Sequence, residues 1–286
     1  MSSSTATATA SGEVYFPVKK RPAWGQFIQA AVVIIVVGWV VLAFVGSGVF
    51  DFATVAHYLI GPQILKGVWA TISLATLSTV IALVLGTVVA LMRISSNRVL
   101  STAASAYVFI FRGTPMLVQL LIWFYAIPRM VGQIRLGNPF TQVAYIDVPA
   151  SAFFTPFIAG LFALSLAETG YMAEVIRSGI LGVDKGQRDA AMALGLPRRK
   201  ITTQIVLVQA FRIILPSFGN QYIMMIKNTS LAYTIGYMEI LLTVSRVYYT
   251  NFKYLELLLV AAFWYLVLTA IVSFLQQLLE RRFPAR

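Results

Sequence analysis

The chain has 286 residues, 59% of them apolar and 11% charged, with a net charge of +12 and no cysteine; a mean hydropathy of +0.81 excludes a soluble globular domain. Without Cys there are neither disulfides nor thiolate metal sites, and the single histidine, His57, has no second histidine with which to share a metal and is read as a solvated loop residue. The basic residues stand in short clusters beside apolar runs, where the positive-inside rule accounts for them, so nucleic acid is not an expected partner.

Several apolar runs reach the roughly 20 residues that a helical crossing of the bilayer needs. Strand-like alternation is absent from them, and lipid satisfies no backbone hydrogen bonds, so the reading is an all-α integral membrane protein. Residues 1–12 are Ser, Thr and Ala without periodicity and are expected to be a disordered tail, the whole 1–26 stretch being a cytoplasmic N-terminal extension. After Lys19, Lys20 and Arg21 comes a first span over residues 27–45, too long for a signal-peptide core and lacking a cleavage signature; it is read as retained, with its external loop reaching residue 62. Further spans are expected at residues 64–92, 100–127, 152–181, 203–226 and 254–279, the fifth of the six interrupted by Arg212, Pro216, Gly219 and Asn220.

Residues 228–244 are apolar but short. Six spans put both termini in the cytoplasm together with the clusters Lys19, Lys20, Arg21, then Arg93, Arg98, then Lys185, Arg188, Arg198, Arg199, Lys200, and finally Arg281, Arg282, Arg286. A seventh span would expose the last cluster, against the charge bias, so residues 228–244 are read as a partial or re-entrant segment. Within the 182–203 loop, Asp184 followed by Gln187 fits a loose capping box, and residues 187–194 can form two helical turns that stop at Gly195. Ala190, Ala191 and Ala193 would give that helix small faces for another protein to approach.

Several of these segments carry a shared signature. The run DAAMALG, from Asp189 to Gly195, and the later Ile214-Leu215-Pro216 resemble the EAA loop of ABC importer permeases. FRGTPMLVQLLIWFYAIP (residues 111–128), YMAEVIRSGI (171–180), Pro216-Ser217-Phe218-Gly219-Asn220 and Lys227-Asn228-Thr229-Ser230-Leu231 resemble the polar amino-acid branch of that family, the histidine/glutamine/arginine type. The likeness covers roughly residues 63–283 in order and spacing. It departs in Asp189 for Glu, Asn228 for Asp and Val208 for Pro.

The resemblance implies a type I ABC importer transmembrane domain, with a five-helix core over residues 63–283 and the first span as an addition. It implies a second permease subunit, two cytoplasmic ATPase subunits that hold ATP and Mg, an extracytoplasmic binding protein, and the bacterial cytoplasmic membrane as location. The coupling residues it points to are Gly186, Gln187, Asp189, Ala190, Ala191, Leu194 and Gly195. No G-x-x-x-x-G-K-[ST] phosphate loop occurs, so the chain is expected to be a transport subunit, not an enzyme, with no cofactor of its own.

For cargo contact the leading residue is Glu168, because a carboxylate at membrane depth is costly unless it meets water or a cation; an ammonium of an amino acid is one such cation, and Arg212 or Arg112 of the chain itself is another. Asn220 and Tyr222 follow, on the expectation that the helix breaks at Pro216 and Gly219 and frees backbone groups. Ser165, Thr169 and Gln119 offer further polar contacts, although small hydroxyl residues in spans are more often packing positions. Glu174 and Arg177, three residues apart, read as a structural pair. Two other functions fit an intramembrane acid or a membrane assembly: an ion-coupled secondary transporter, whose inverted repeats are not visible, and a non-transporting sensor.

Overall fold

The computed structural model describes residues 7–8, 14–15, 24–46, 48, 51–137 and 144–283. Lys19, Lys20, Arg21, Arg286 and most of the expected tail lie outside the described residues. Two compact units are present, Met1–Asp51 and Phe52–Arg286. The first contains a short antiparallel pair, β1 (Thr7–Ala8) and β2 (Val14–Tyr15), and a 23-residue helix α1 (Trp24–Gly46) that coincides with the expected first span.

The second unit opens with α2 (Phe52–Leu59). His57 therefore sits on a helix, not in a loop; it is exposed, with its ring edge-on to Tyr58. Next come α3 (Pro62–Ile94), α4 (Arg98–Gly113) and α5 (Met116–Leu121), the last continuing through a π turn (Ile122–Ala126) into α6 (Ile127–Val131). Pro62 occupies the first turn of α3, where its missing N–H costs nothing. Asn97 starts α4 by accepting from Val99 N at 2.9 Å and Leu100 N at 3.3 Å.

The span expected at 100–127 is a helix pair bent by 99° between Arg98–Gly113 and Met116–Val131. Pro115 is the cause: it drives the preceding Thr114 into extended backbone (φ −103°, ψ 139°), which no α-helix tolerates.

An antiparallel strand pair follows, β3 (Gln133–Gly137) with β4 (Ala144–Pro149). Then come α7 (Ala150–Phe153), α8 (Pro156–Leu181), α9 (Lys185–Ala193) and α10 (Arg198–Lys200), which runs through a π turn (Ile201–Val206) into α11 (Leu207–Asn228). A 3-10 turn (Thr229–Ile235) leads to α12 (Ile240–Asn251) and α13 (Tyr254–Arg282). Among the described residues, four helices are long and apolar enough to cross a membrane, five if the bent pair is one span. The 228–244 stretch read as a partial segment holds the last residue of α11, the 3-10 turn and only the start of α12, which with 12 residues is about 18 Å long and falls short of the roughly 30 Å hydrocarbon core.

Helices α3 and α8 form the centre. Buried Thr71, Ala75, Thr79, Ala82, Gly86 and Ala90 make a small-residue stripe along α3, which lets the backbones approach closely. A Cβ at Gly86 would lie 2.8 Å from that of Met172, while one at Gly160 would touch Leu74 at 3.7 Å. The two helices therefore run parallel, as expected of a second and fourth span. Helix α11 crosses α8 at Gly179, where any Cβ would strike Ile214.

Candidate functional site

Glu168, Ser165 and Thr169 share α8 and are all buried, Glu168 at 1% exposure. Ser165 donates to Leu161 O at 2.5 Å and Thr169 to Ser165 O at 2.7 Å, so both hydroxyls are satisfied by their own helix. Glu168 differs: its Oε1 is buried with no hydrogen-bond partner, and neither arginine considered for it is in place. Arg112 lies over the ring of Tyr171 at 5.1 Å, and Arg212 makes no ion pair among the described residues. A carboxylate held so in an apolar helix is unstable as an isolated anion, so a proton or a cation at that position lowers its energy.

The other sequence-nominated residues separate. Gln119, from α5, spans the bend: its Nε2 donates to Phe111 O (2.9 Å), Thr114 O (3.1 Å) and Thr114 Oγ1 (2.8 Å). That ties down the α4–α5 break, although its Oε1 remains buried and unpartnered. Helix α11 is unbroken from Leu207 to Asn228 with Pro216 inside it, so the expected break at Pro216 and Gly219 is absent. Gly219 instead admits the Gln276 side chain, whose Nε2 donates to Pro216 O at 3.0 Å. Asn220 is exposed, while Tyr222, two positions on and thus on another face, bonds through its hydroxyl to Thr76 Oγ1 at 2.8 Å.

Charge pairing inside α8 follows the sequence reading. Arg177 Nη2 donates to Glu174 Oε1 at 2.5 Å, and Arg93 of α3, which the sequence did not nominate, also grips Glu174. Glu239 was missed as well. It is fully buried, with its carboxylate accepting from Leu241 N and Leu242 N at 2.8 Å each and from the Tyr265 hydroxyl at 2.5 Å. It thereby caps α12 and pins it to α13; a lone acid in an apolar, sub-span segment was the available signal.

The loop between α8 and α11 is built as a capped lever. Asp184 Oδ1 accepts from Gly186 N at 2.6 Å and starts α9. At its end Gly195 adopts φ +73°, and the bonds Leu196 N to Ala191 O (3.2 Å) and Gly195 N to Met192 O (2.9 Å) form a Schellman motif. Gly186, Gln187, Asp189, Ala190 and Gly195 are exposed, and Leu194 is 80% exposed. Ala191 faces the other way. It is buried with Val183, Ile201, Val206 and Ala210, so its part is to seat the helix on the chain's own helices, not to offer a face to a partner. Arg188 reinforces that seat through Nη2 to Ile180 O at 2.9 Å.

Residues 82–284 match the family described as binding-protein-dependent transport system inner membrane component. The chain belongs to that family. It is 36% identical over 270 residues to the arginine transport system permease protein ArgU of Corynebacterium glutamicum, covering 93% of this chain and 83% of that one. With the putative glutamine transport system permease protein GlnP of Rickettsia conorii it shares 34% identity over 219 residues, 77% of this chain and 92% of the relative. Among solved structures it is similar to a chain from the crystal structure of an amino acid ABC transporter with histidines, at 31% identity and a TM-score of 0.69, covering 82% of this chain and 99% of that one. The fold is thus that of a type I ABC importer transmembrane domain. A permease of this family is driven as an ABC importer, and the ion-coupled alternative is set aside.

Proposed function

We propose that this permease subunit moves a polar amino acid inward across the bacterial cytoplasmic membrane by alternating access, with cargo handed over by an extracytoplasmic binding protein. Two copies, or this chain and a close relative, enclose the pathway, and each receives one ATPase subunit that holds ATP and Mg. The arginine and glutamine named for the relatives make a cationic or amide-bearing amino acid the expected cargo. The termini lie in the cytoplasm, on the side of the basic 182–203 loop.

One observation carries the reading: α8 is a single unbroken helix that holds unpaired Glu168 at depth and runs on into the doubly capped α9. When nucleotide closes the ATPase pair, the two α9 helices are drawn together through Gly186, Gln187, Asp189, Ala190, Leu194 and Gly195. Ala191, buried beneath, passes that displacement to α8 and α11. Glu168 meets the ammonium of the cargo, with Ser165 and Thr169 beside it on the same helix; Asn220, Tyr222 and Gln119, which lie apart from it, are not assigned to that contact. Because the chain has no native cysteine, Leu194→Cys gives a unique thiol for the test. It should cross-link to a cysteine in the cleft of the companion ATPase and do so in a nucleotide-dependent way; failure to cross-link with any nucleotide-splitting companion would sink the reading.

A further inference from the structure

Beside the junction of α8 and α9, against the first half of α11, lies a polar cleft of about 470 Å³. Its walls include Asp184, Gln187, Gln204, Gln209, Arg212 and Val208. The π turn at Ile201–Val206 lengthens the local helical period, and Gln204 and Gln209 both reach the cleft. Gln209 Nε2 donates across it to Gln187 Oε1 at 3.4 Å, a long bond that links α11 to the coupling helix. None of these groups is needed at Glu168.

The chemistry of the walls is specific in sign. Arg212 is half-buried in a membrane-spanning helix with no carboxylate partner among the described residues. Asp184 spends Oδ1 on the α9 cap and keeps its other oxygen free. Three amides complete the set. A purely anionic ligand would face Asp184, and a purely cationic one Arg212; a zwitterion with a carboxylate at one end and an ammonium at the other satisfies both. The amides suit a polar side chain. A zwitterionic lipid headgroup shares this pairing, but it brings no polar side chain for Gln187, Gln204 and Gln209.

We propose that this cleft is a second amino-acid site on the release side of the membrane, and that cargo bound there holds α9 against α11 and slows the next transport cycle. The inference rests on the proposed amino-acid cargo and cytoplasmic loop. In structural terms it is product feedback applied directly to the lever, at the place where the weak Gln187–Gln209 link already spans the gap.

The test uses the full complex with its ATPase subunits in phosphatidylcholine nanodiscs, without binding protein, in a Glu168→Gln background that silences the central contact. Radiolabelled arginine and glutamine are the probes. Saturable binding of one of them is expected, weakened about tenfold or more by Arg212→Gln, which removes a charge-assisted pair, and by Val208→Trp, which fills the cleft without altering charge. Should Arg212→Gln prevent assembly, Val208→Trp carries the measurement. In proteoliposomes holding the complex with Glu168 intact and supplied with the binding protein, arginine loaded on the cytoplasmic side should slow initial uptake relative to empty vesicles, and Val208→Trp should abolish that difference. No saturable binding, binding indifferent to both substitutions, or a cleft that retains only phosphatidylethanolamine by native mass spectrometry overturns the proposal. Uptake that proceeds normally while these assays fail removes the second site alone; absence of amino-acid uptake removes the function proposed above.

Discussion

Glu168 is the side chain on which the proposed cargo handling turns, because it is a buried acid whose Oε1 has no partner among the described residues. Glu174 and Glu239, by comparison, are consumed by structure, the former by Arg93 and Arg177 and the latter by the α12 cap and Tyr265. Glu168→Gln keeps shape and removes charge. A hydrogen bond to a charged group contributes about 1.5–3 kcal/mol, so radiolabelled uptake should fall by about 10- to 100-fold while the complex still assembles. Undiminished uptake would take Glu168 out of the cargo path. The sequence singled this residue out, since depth and charge are both legible in it, and left open whether its partner was cargo or an arginine of the chain. It could not show that Arg112 and Arg212 point elsewhere, because side-chain direction follows from how α4 and α11 pack.

Helices meet at glycines here, and those contacts set how the lever is mounted. Gly86→Leu must push against Met172 across the α3–α8 seam, where even a Cβ would come within 2.8 Å. Overpacking of that kind costs about 1–3 kcal/mol, and a lowered thermal midpoint of the detergent-solubilised chain should report it. At α9 the cost is of another sort. Gly195 holds φ +73° to close the Schellman motif, and Gly195→Val forces a β-branched side chain into a conformation that disfavours it by about 1–2 kcal/mol. Amide exchange in α9 should accelerate while α8 keeps its protection. The capping of α9 was readable from Asp184 and Gly195. Its orientation was not: Ala190 and Ala191 are identical in the sequence, and only burial against Val183, Ile201 and Ala210 tells the seated one from the exposed one.

At the level of the assembled transporter, the proposed function has energy enter through a partner and leave as motion of α8 and α11. Uptake into vesicles should therefore survive collapse of the proton gradient by an uncoupler and stop when the ATPase subunit is removed. The reverse result would point to ion coupling at Glu168. Hydropathy sufficed to place the long spans of the second unit, and the parallel run of α3 and α8, seen where Gly86 meets Met172 and Gly160 meets Leu74, agrees with their order.

What the linear chain determined by itself is governed by local rules: which segments are apolar enough to cross, where Asp184 and Gly195 bound α9, and which motifs mark the family. The 99° bend at Pro115, the continuity of α11 through Pro216, the loneliness of Glu168 and the polar cleft against Arg212 were decided only in three dimensions. Proline shows why. A proline disfavours helical backbone in the residue before it: at Thr114 the chain yields and turns, whereas α11 continues through Pro216, whose own carbonyl accepts from Gln276.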